Sequence, residues 1–387
     1  MTVPSTTART TTARTTAATN RADGVYRQPL PATPQEADRS LAEFPFPFPH
    51  ETYRYSANVE PAEKLRRSAA GQWGETVIDI DRHYAAELRE KDRILTVDPS
   101  RYVALPHMLP AEWDALLAVL NELAVVYPGS FTLTRTSTAK DGEDRKDSAG
   151  AGDSYHWSNR LSDPPVEQDF TVGDSSTLPC APLEFAGRQV QEDIALLAER
   201  DGMLWGDSMV VTFAADWSPA FDAGMSFPEI HGPVPRVHEQ GIVDRAQKFI
   251  MGLRPGQRFR RTNWTLTIDG RLDTGTESYP EWGPDRMSVV NGPLREVGDR
   301  VFLRVEVQHL IRLQWSGAVM FLIRTYLQPL STLVRVPEWA TRVRDVLAEL
   351  PEDMAEYKGV HRTRWPAVEW LETVGGVDPA TRPEVGN

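Results

Sequence analysis

Two histidines seven residues apart offer the most distinctive chemistry in this chain. His231 lies in Ile230-His231-Gly232-Pro233-Val234-Pro235, and His238 follows in the same loop region. Proline fixes φ, so the two prolines just after His231 hold its backbone stiffly. A rigid neutral imidazole is a good axial ligand for haem iron, yet the same residue also reads as an ordinary structural histidine, and composition and periodicity alone favour that second reading. His238-Glu239 begins like a zinc-protease motif, but Ile242 stands where the second histidine is required. Cys180 is the single cysteine and ranks last as a thiolate ligand.

A second group is polar and periodic. Arg304, Glu306 and Gln308 alternate with Leu303, Val305 and Val307, so they share one face of a strand. These three read equally as a solvated sheet face. Arg261 and Asn263 fall on the polar face of another strand, where Arg261 suits a carboxylate or makes a surface ion pair. His309 falls on the apolar register of its strand and is a further candidate to face a haem.

Those residues need elements to position them. Arg260–Asp269, Val301–Leu313 and Ala318–Leu327 read as strands, the last two joined by Gln314-Trp-Ser-Gly317 in a hairpin-like turn. Met209–Phe213 reads as another strand, and a short helix is expected around Val243–Leu253. Residues 110–126 form an amphipathic helix with Pro110 in its first turn. Val190, Ile194 and Leu197 predict a helix ended by Gly202, in which Glu192 or Asp193 is an exposed acid. A final helix spans Pro337–Leu350. Phe44-Pro-Phe-Pro-Phe48 is extended and lays its rings on a core. The expected class is α+β, an antiparallel sheet flanked by helices. The expected organisation is a disordered tail over 1–40, a domain over 41–350 with a partly mobile surface insertion at 134–182, and an extension over 351–387.

Composition narrows the function. The 387 residues are 40% apolar and 25% charged, ordinary for a globular chain. No apolar run approaches the ~20 residues of a transmembrane helix. A formal charge of -13 argues against nucleic-acid and anionic-membrane partners. One cysteine excludes an internal disulfide or a four-thiolate cluster, so the chain fits a reducing cytoplasm, and any iron–sulfur cluster sits on another polypeptide. Residues 1–22 are rich in Thr, Ala and Arg without acids, a composition shared by transit peptides and disordered tails; the tail is favoured. Gly-x-Gly-x-x-Gly, Walker and Gly-x-Ser-x-Gly motifs are missing. Asn263-Trp-Thr265 matches the glycosylation pattern by chance.

Several segments, in order, resemble the haem-dependent oxidative N-demethylase family. "FPEIHGPVP" at 227–235 is similar to its Ile-His-x-Pro-Val-Pro signature, and "RRTNWTL" at 260–266 to its Arg-x-Asn-Trp strand. "RVEVQHLIRLQWSGAVMFLIRTYLQPL" at 304–330 resembles its closing hairpin, "VQEDIALL" at 190–197 its central helix, and "FPFPF…YRYSANVEP" at 44–61 its N-terminal part. The resemblance covers 41–350, leaving 134–182 unmatched. Val307, His309 and Gln314 depart from the family's Arg, Thr and Pro. If they line the pocket, the substrate differs from the family's small secondary amine.

The resemblance implies a PAS-like haem-binding fold and a monooxygenase-type enzyme that removes an N-methyl group with O2. It implies haem b as the iron cofactor, with electrons from NADPH through a separate flavin/iron–sulfur reductase subunit. It implies His231 as the iron ligand, with Arg261 at a haem propionate, Asn263 beside it, and Arg304, Glu306 and Gln308 about a small amine substrate; His238 is a second candidate axial ligand, outside the family motif. A non-catalytic haem or gas sensor on the same fold is the alternative, although no output domain follows the sheet. A cofactor-free interaction protein with a structural His231 is the third possibility.

Overall fold

A computed structural model of the chain describes residues 24–55, 57–137 and 150–374. The expectations for residues 1–23 and for the charged stretch 140–147 fall outside the described residues. Helix α1 (Pro34–Glu43) begins inside the segment expected to be a disordered tail. Its start is encoded locally: the Thr33 side chain accepts from the Glu36 N–H, and Pro34 takes the first turn. Ala37 and Leu41 bury its inner face. After it, the Phe-Pro alternation does lay rings on a core: Phe44 and Phe48 are buried, and Phe46 stacks on Trp339 at 4.5 Å.

The chain then adds a short strand β1 (Glu60–Pro61), a small hairpin of β2 (Arg66–Arg67) and β3 (Gln72–Trp73), helix α2 (Tyr84–Val97), strand β4 (Tyr102–Ala104) and helix α3 (Leu109–Val126). Helix α3 matches the sequence expectation. Residues 134–182 do not. They contribute to a three-stranded antiparallel sheet, β5 (Phe131–Ser137), β6 (Ser154–Asn159) and β7 (Val166–Thr171), and α4 (Pro182–Gly187) follows. Trp157 and Phe170 from this sheet are buried in the cluster that contains α3, so the described part of the segment contributes to the core. Its alternation is weak because the outward positions of β6 and β7 are polar and its inward aromatics are few.

The predicted helix over 188–202 is a strand, β8 (Asp193–Arg200), paired with β9 (Met203–Val210). Ile194-Ala-Leu-Leu-Ala198 is apolar without a gap, and a strand covered on both faces carries no period to distinguish it from a helix. Ladder pairing decided the outcome. Glu192 and Asp193 are correspondingly buried, not exposed.

Short helices α5 (Pro219–Asp222) and α6 (Phe227–Ile230) lead to α7 (Ile242–Met251) and the long strand β10 (Arg258–Ile268). Helices α8 (Tyr279–Val290) and α9 (Val297–Arg300) precede the hairpin β11 (Val301–Arg312) and β12 (Val319–Pro329). Helices α10 (Leu330–Leu333), α11 (Pro337–Glu349), α12 (Glu352–Tyr357) and α13 (Arg364–Val374) close the described chain. The last two were expected as an extension, but Met354, Ala355, Ala367 and Leu371 join the buried cluster around Trp339.

The main sheet has seven strands in the order β1-β10-β11-β12-β8-β9-β4 with antiparallel pairings, so the class is α+β. Residues directly opposite in such a ladder share a face. One face carries Leu303, Val305, Leu322 and Ile194 and packs on α2, α3 and the C-terminal helices. The other carries Leu310, Val319, Phe321 and Leu197 and is covered by α6, α7 and the His231 loop. The candidate site lies on this second face. No helix among the described residues is long and apolar enough to cross a membrane.

Candidate functional site

The His231 loop is built from local signals. Ser226 and Glu229 form a reciprocal capping box that starts α6, and His231 caps its end. The imidazole turns back on its own helix: Nδ1–H donates to the Phe227 carbonyl at 2.8 Å, and the two rings lie 4.1 Å apart. That bond fixes the tautomer and leaves the Nε2 lone pair without a protein partner. Burial holds the His231 pKa below the usual histidine value, so the ring is neutral. Two contacts clamp the loop from outside. Tyr55 donates its hydroxyl to the Pro235 carbonyl at 3.0 Å, and Arg236 reaches Asp353 of α12 at 3.0 Å. His238 is exposed and close enough for its charge to oppose protonation of His231.

On the sheet below, register brings together residues that the sequence assigned to separate faces. Arg261 stands opposite Gln308 and Asn263 opposite Glu306, so Arg261, Asn263, Arg304, Glu306 and Gln308 form one polar patch. Within it the side chains differ in kind. Arg304 is fully buried and donates to the carbonyls of Leu272 and Phe213 and to Thr325 Oγ1, and it pairs with Glu306 at 3.3 Å. Its donors are spent on the protein. Glu306 accepts from Arg304, from Gln308 at 3.0 Å and from Asn263 at 3.4 Å, so both its oxygens are engaged. Gln308 gives its amide N–H to Glu306 and keeps Oε1 without a protein donor.

Arg261 is the exception in the patch. It makes no hydrogen bond or ion pair among the described residues, and its Nε is buried with no acceptor. Burial depresses its pKa, and the nearest groups that favour its charge are Tyr357, Glu306 and Tyr55. Its own charge adds to the depression of His231, so the two side chains lie within electrostatic reach of each other. A desolvated guanidinium with no anion is costly.

Two other sequence candidates are placed elsewhere. His309 lies opposite Arg260 and Leu322 on the far face of the sheet, buried, with neither ring nitrogen bonded and its pKa pushed down by burial to about 3. It does not face the His231 pocket. Cys180 packs beside the α3 core, and burial pushes its thiol up to about 12, the reverse of what a thiolate ligand needs. Sequence reasoning passed over Lys358, at the end of α12, whose Nζ reaches the patch. It also passed over Tyr55 and Tyr357, which flank Arg261. None of the three lies in a motif with chemical meaning of its own.

A family model described as haem-dependent oxidative N-demethylase, alpha subunit-like, matches residues 69–368. The chain belongs to this family. The match runs through the β5–β7 sheet and on to α13, beyond the 41–350 span expected from the motifs. Two of the three departures from the family's hairpin pattern are far from the pocket. Val307 and His309 project from the face opposite to Glu306 and Gln308, and Gln314 sits in the turn after β11.

The residues present fit a haem of the kind the N-demethylase family is named for. A neutral imidazole with one ring nitrogen anchored and the other free is the donor iron takes from histidine. An unpaired guanidinium with its Nε buried, within electrostatic reach of that imidazole, answers a propionate carboxylate. Phe227, Phe321 and Val237 supply apolar walls. Among the described residues no three His, Cys, Asp or Glu side chains converge to hold a bare metal ion.

Proposed function

We propose that this chain is the haem-binding component of an oxidative N-demethylase, in which His231 Nε2 would hold the haem iron and the Arg261 guanidinium would meet one of its carboxylates. One observation carries the reading: a histidine with its Nδ1–H anchored and its Nε2 free lies within electrostatic reach of an arginine that makes no ion pair among the described residues. Haem b would supply the O2 and electron-transfer chemistry at its iron. The chain's own groups hold and orient the substrate. Gln308 Oε1 accepts an N–H from a small amine, and the Glu306 carboxylate, pinned by Arg304 and Asn263, supplies the negative potential that favours a cationic amine. Tyr55 and the α12 contact keep the His231 loop closed over the sheet. His238 sits at the rim and opposes protonation of the ligand histidine.

The rest of the reading follows from what the chain lacks. One cysteine cannot hold an iron–sulfur cluster. Electrons would come from NADPH through a separate flavin/iron–sulfur reductase, as the resemblance to the family implies and in keeping with its alpha-subunit description. A reducing cytoplasm suits the free thiol. An antiparallel sheet with one face reserved for a ligand supports the PAS-like assignment of the unit.

The test is an absorption spectrum of protein expressed with haem supply, beside His231→Ala. A Soret band lost or shifted in the variant, together with NADPH- and O2-dependent amine turnover in the presence of a reductase, is the expected result. A haem band without turnover of any N-methylamine leaves the sensor reading. Colourless wild-type protein after haem addition overturns both.

A further inference from the structure

The polar patch contains a chain of hydrogen bonds whose direction is fixed from its ends. Lys358 has only donors to offer when charged, and Glu306, ionised, has only acceptors. Between them lies Asn263. Lys358 Nζ donates to Asn263 Oδ1 at 3.1 Å, so the Asn263 amide must turn its NH2 toward Glu306, which it reaches at 3.4 Å. Glu306 in turn takes the NH2 of Gln308 at 3.0 Å. With that NH2 committed, Gln308 Oε1 is left as the group with no protein partner. Were the Asn263 amide reversed, its carbonyl would oppose the carboxylate, and Glu306 would lose one of the donors that hold it.

Lys358 itself is held in place. Its Nζ also donates to the Trp264 carbonyl at 2.9 Å and lies 4.8 Å from the Trp264 ring, and its own carbonyl accepts from Thr265 Oγ1 at 2.8 Å. These contacts dock the end of α12 on β10. Arg261 and Glu306 are the charged groups that face it, and burial pushes its pKa down to about 8.

We propose that Lys358 is a positioning residue that holds the Asn263 amide with its NH2 on Glu306, and so steadies the carboxylate on which Gln308 is oriented with its carbonyl oxygen toward an N–H-bearing amine. The inference rests on the haem N-demethylase reading for the nature of the ligand. It assigns to a lysine in the C-terminal helices a part in substrate selection: amines with an N–H donor are favoured over those without one.

The experiment uses the full chain loaded with haem and dimethylammonium as the probe, titrated by calorimetry. Lys358→Met weakens binding about tenfold, the worth of one oriented hydrogen bond, and Lys358→Arg restores it to within about twofold. In a Gln308→Leu background Lys358→Met costs nothing further, because the group it positions is gone. If Lys358→Met does not fold, Asn263→Ala breaks the same chain, and its expected loss is also about tenfold and absent in the Gln308→Leu background. Wild-type affinity in Lys358→Met, an equal loss in both backgrounds, failure of Lys358→Arg to restore binding, or no amine binding by the wild type each overturns the proposal. The haem band separates the two levels. If it is absent from the wild type, the parent reading fails. If it is present in every variant while the amine data go the wrong way, only the role of Lys358 falls.

Discussion

The Nδ1–H of His231 is donated to the carbonyl of Phe227, one turn back along the same short helix, at 2.8 Å. A four-residue helix thus orients the imidazole with its own backbone, and the Phe227 ring, 4.1 Å away, packs against it. Phe227 is buried among Leu204, Val237 and Ile250. Phe227→Ala empties that space and frees the ring to rotate. The expected cost is about 3 kcal/mol in denaturant unfolding. Haem titration of the folded variant is expected to show weaker, spectrally mixed binding, whereas Leu204→Ala, in the same cluster but without contact to the imidazole, lowers stability and leaves the haem spectrum as it was.

Arg261 gives a prediction of opposite signs. Its buried Nε has no acceptor, so the haem-free protein carries an uncompensated cost. Arg261→Met fills similar volume without charge. It is expected to raise the unfolding free energy of the haem-free chain by ~1 kcal/mol and to weaken haem retention. Thermal melts with and without haem measure both. A variant less stable without haem contradicts the idea that this arginine awaits an anion.

The polar patch divides into frame and working surface, and substitution separates them. Arg304 serves the Leu272 and Phe213 carbonyls, Thr325 and Glu306 from a fully buried position. Arg304→Met orphans them all and is expected to cost 3–5 kcal/mol, about the penalty of breaking a buried ion pair. Gln308→Leu removes one donor to Glu306 and the free Oε1. It is expected to cost about 1 kcal/mol of stability while changing amine binding. Equal destabilisation by the two would place Gln308 in the frame.

How much of this was readable beforehand depends on where period and register act. The β11–β12 hairpin, α3, α7 and α11 were legible because each exposes one side to a different environment than the other, which imprints a period on the sequence. Strand β8 was not, since Ile194–Ala198 is covered on both faces. At the site, His231 and Arg261 were legible from residue type. That Arg261 and Glu306 share one face was not, because the two strands are 33 residues or more apart and only the ladder aligns Arg261 with Gln308. Lys358 carried no signal at all: a single lysine after a polar helix looks like any solvated residue until α12 docks on Trp264.

The far face of the sheet predicts a pH dependence. Glu87 and Glu192 are buried beside Arg324, and burial pushes each carboxyl up to about 7 despite that charge. An unfolded glutamate titrates near ~4.3. Between about pH 4.5 and 7 the native state therefore holds protons the unfolded state has released, so stability falls as pH rises through this window and levels off above it. Glu87→Gln keeps the bond to Gln191 in kind and removes one titrating group. Its unfolding free energy is expected to vary less over that range, by up to about 3 kcal/mol. Denaturant titrations across the window measure the slope, and a wild-type slope that rises with pH contradicts the assignment.

The β5–β7 sheet gives the sharpest test of what the family unit contains. A segment expected to be a partly mobile surface insertion instead places Trp157 at zero exposure, stacked on Phe131 at 5.7 Å, with its indole N–H donated to Gln189 at 3.1 Å. Gln189 also accepts from Asn159, and Tyr84 of α2 closes the group by donating to the Gln189 carbonyl at 2.7 Å. The sheet thus shares one polar knot with the segment that leads into β8, next to β12 of the main sheet. Trp157→Ala opens a large cavity and orphans Gln189. It is expected to cost about 3–5 kcal/mol, with one cooperative transition reported alike by near- and far-ultraviolet dichroism. Trp157→Phe keeps most of the volume and loses the N–H, so about 1–2 kcal/mol is expected. A small effect of Trp157→Ala, or a separate early transition, would instead make β5–β7 an appendage that the haem-binding sheet does not need.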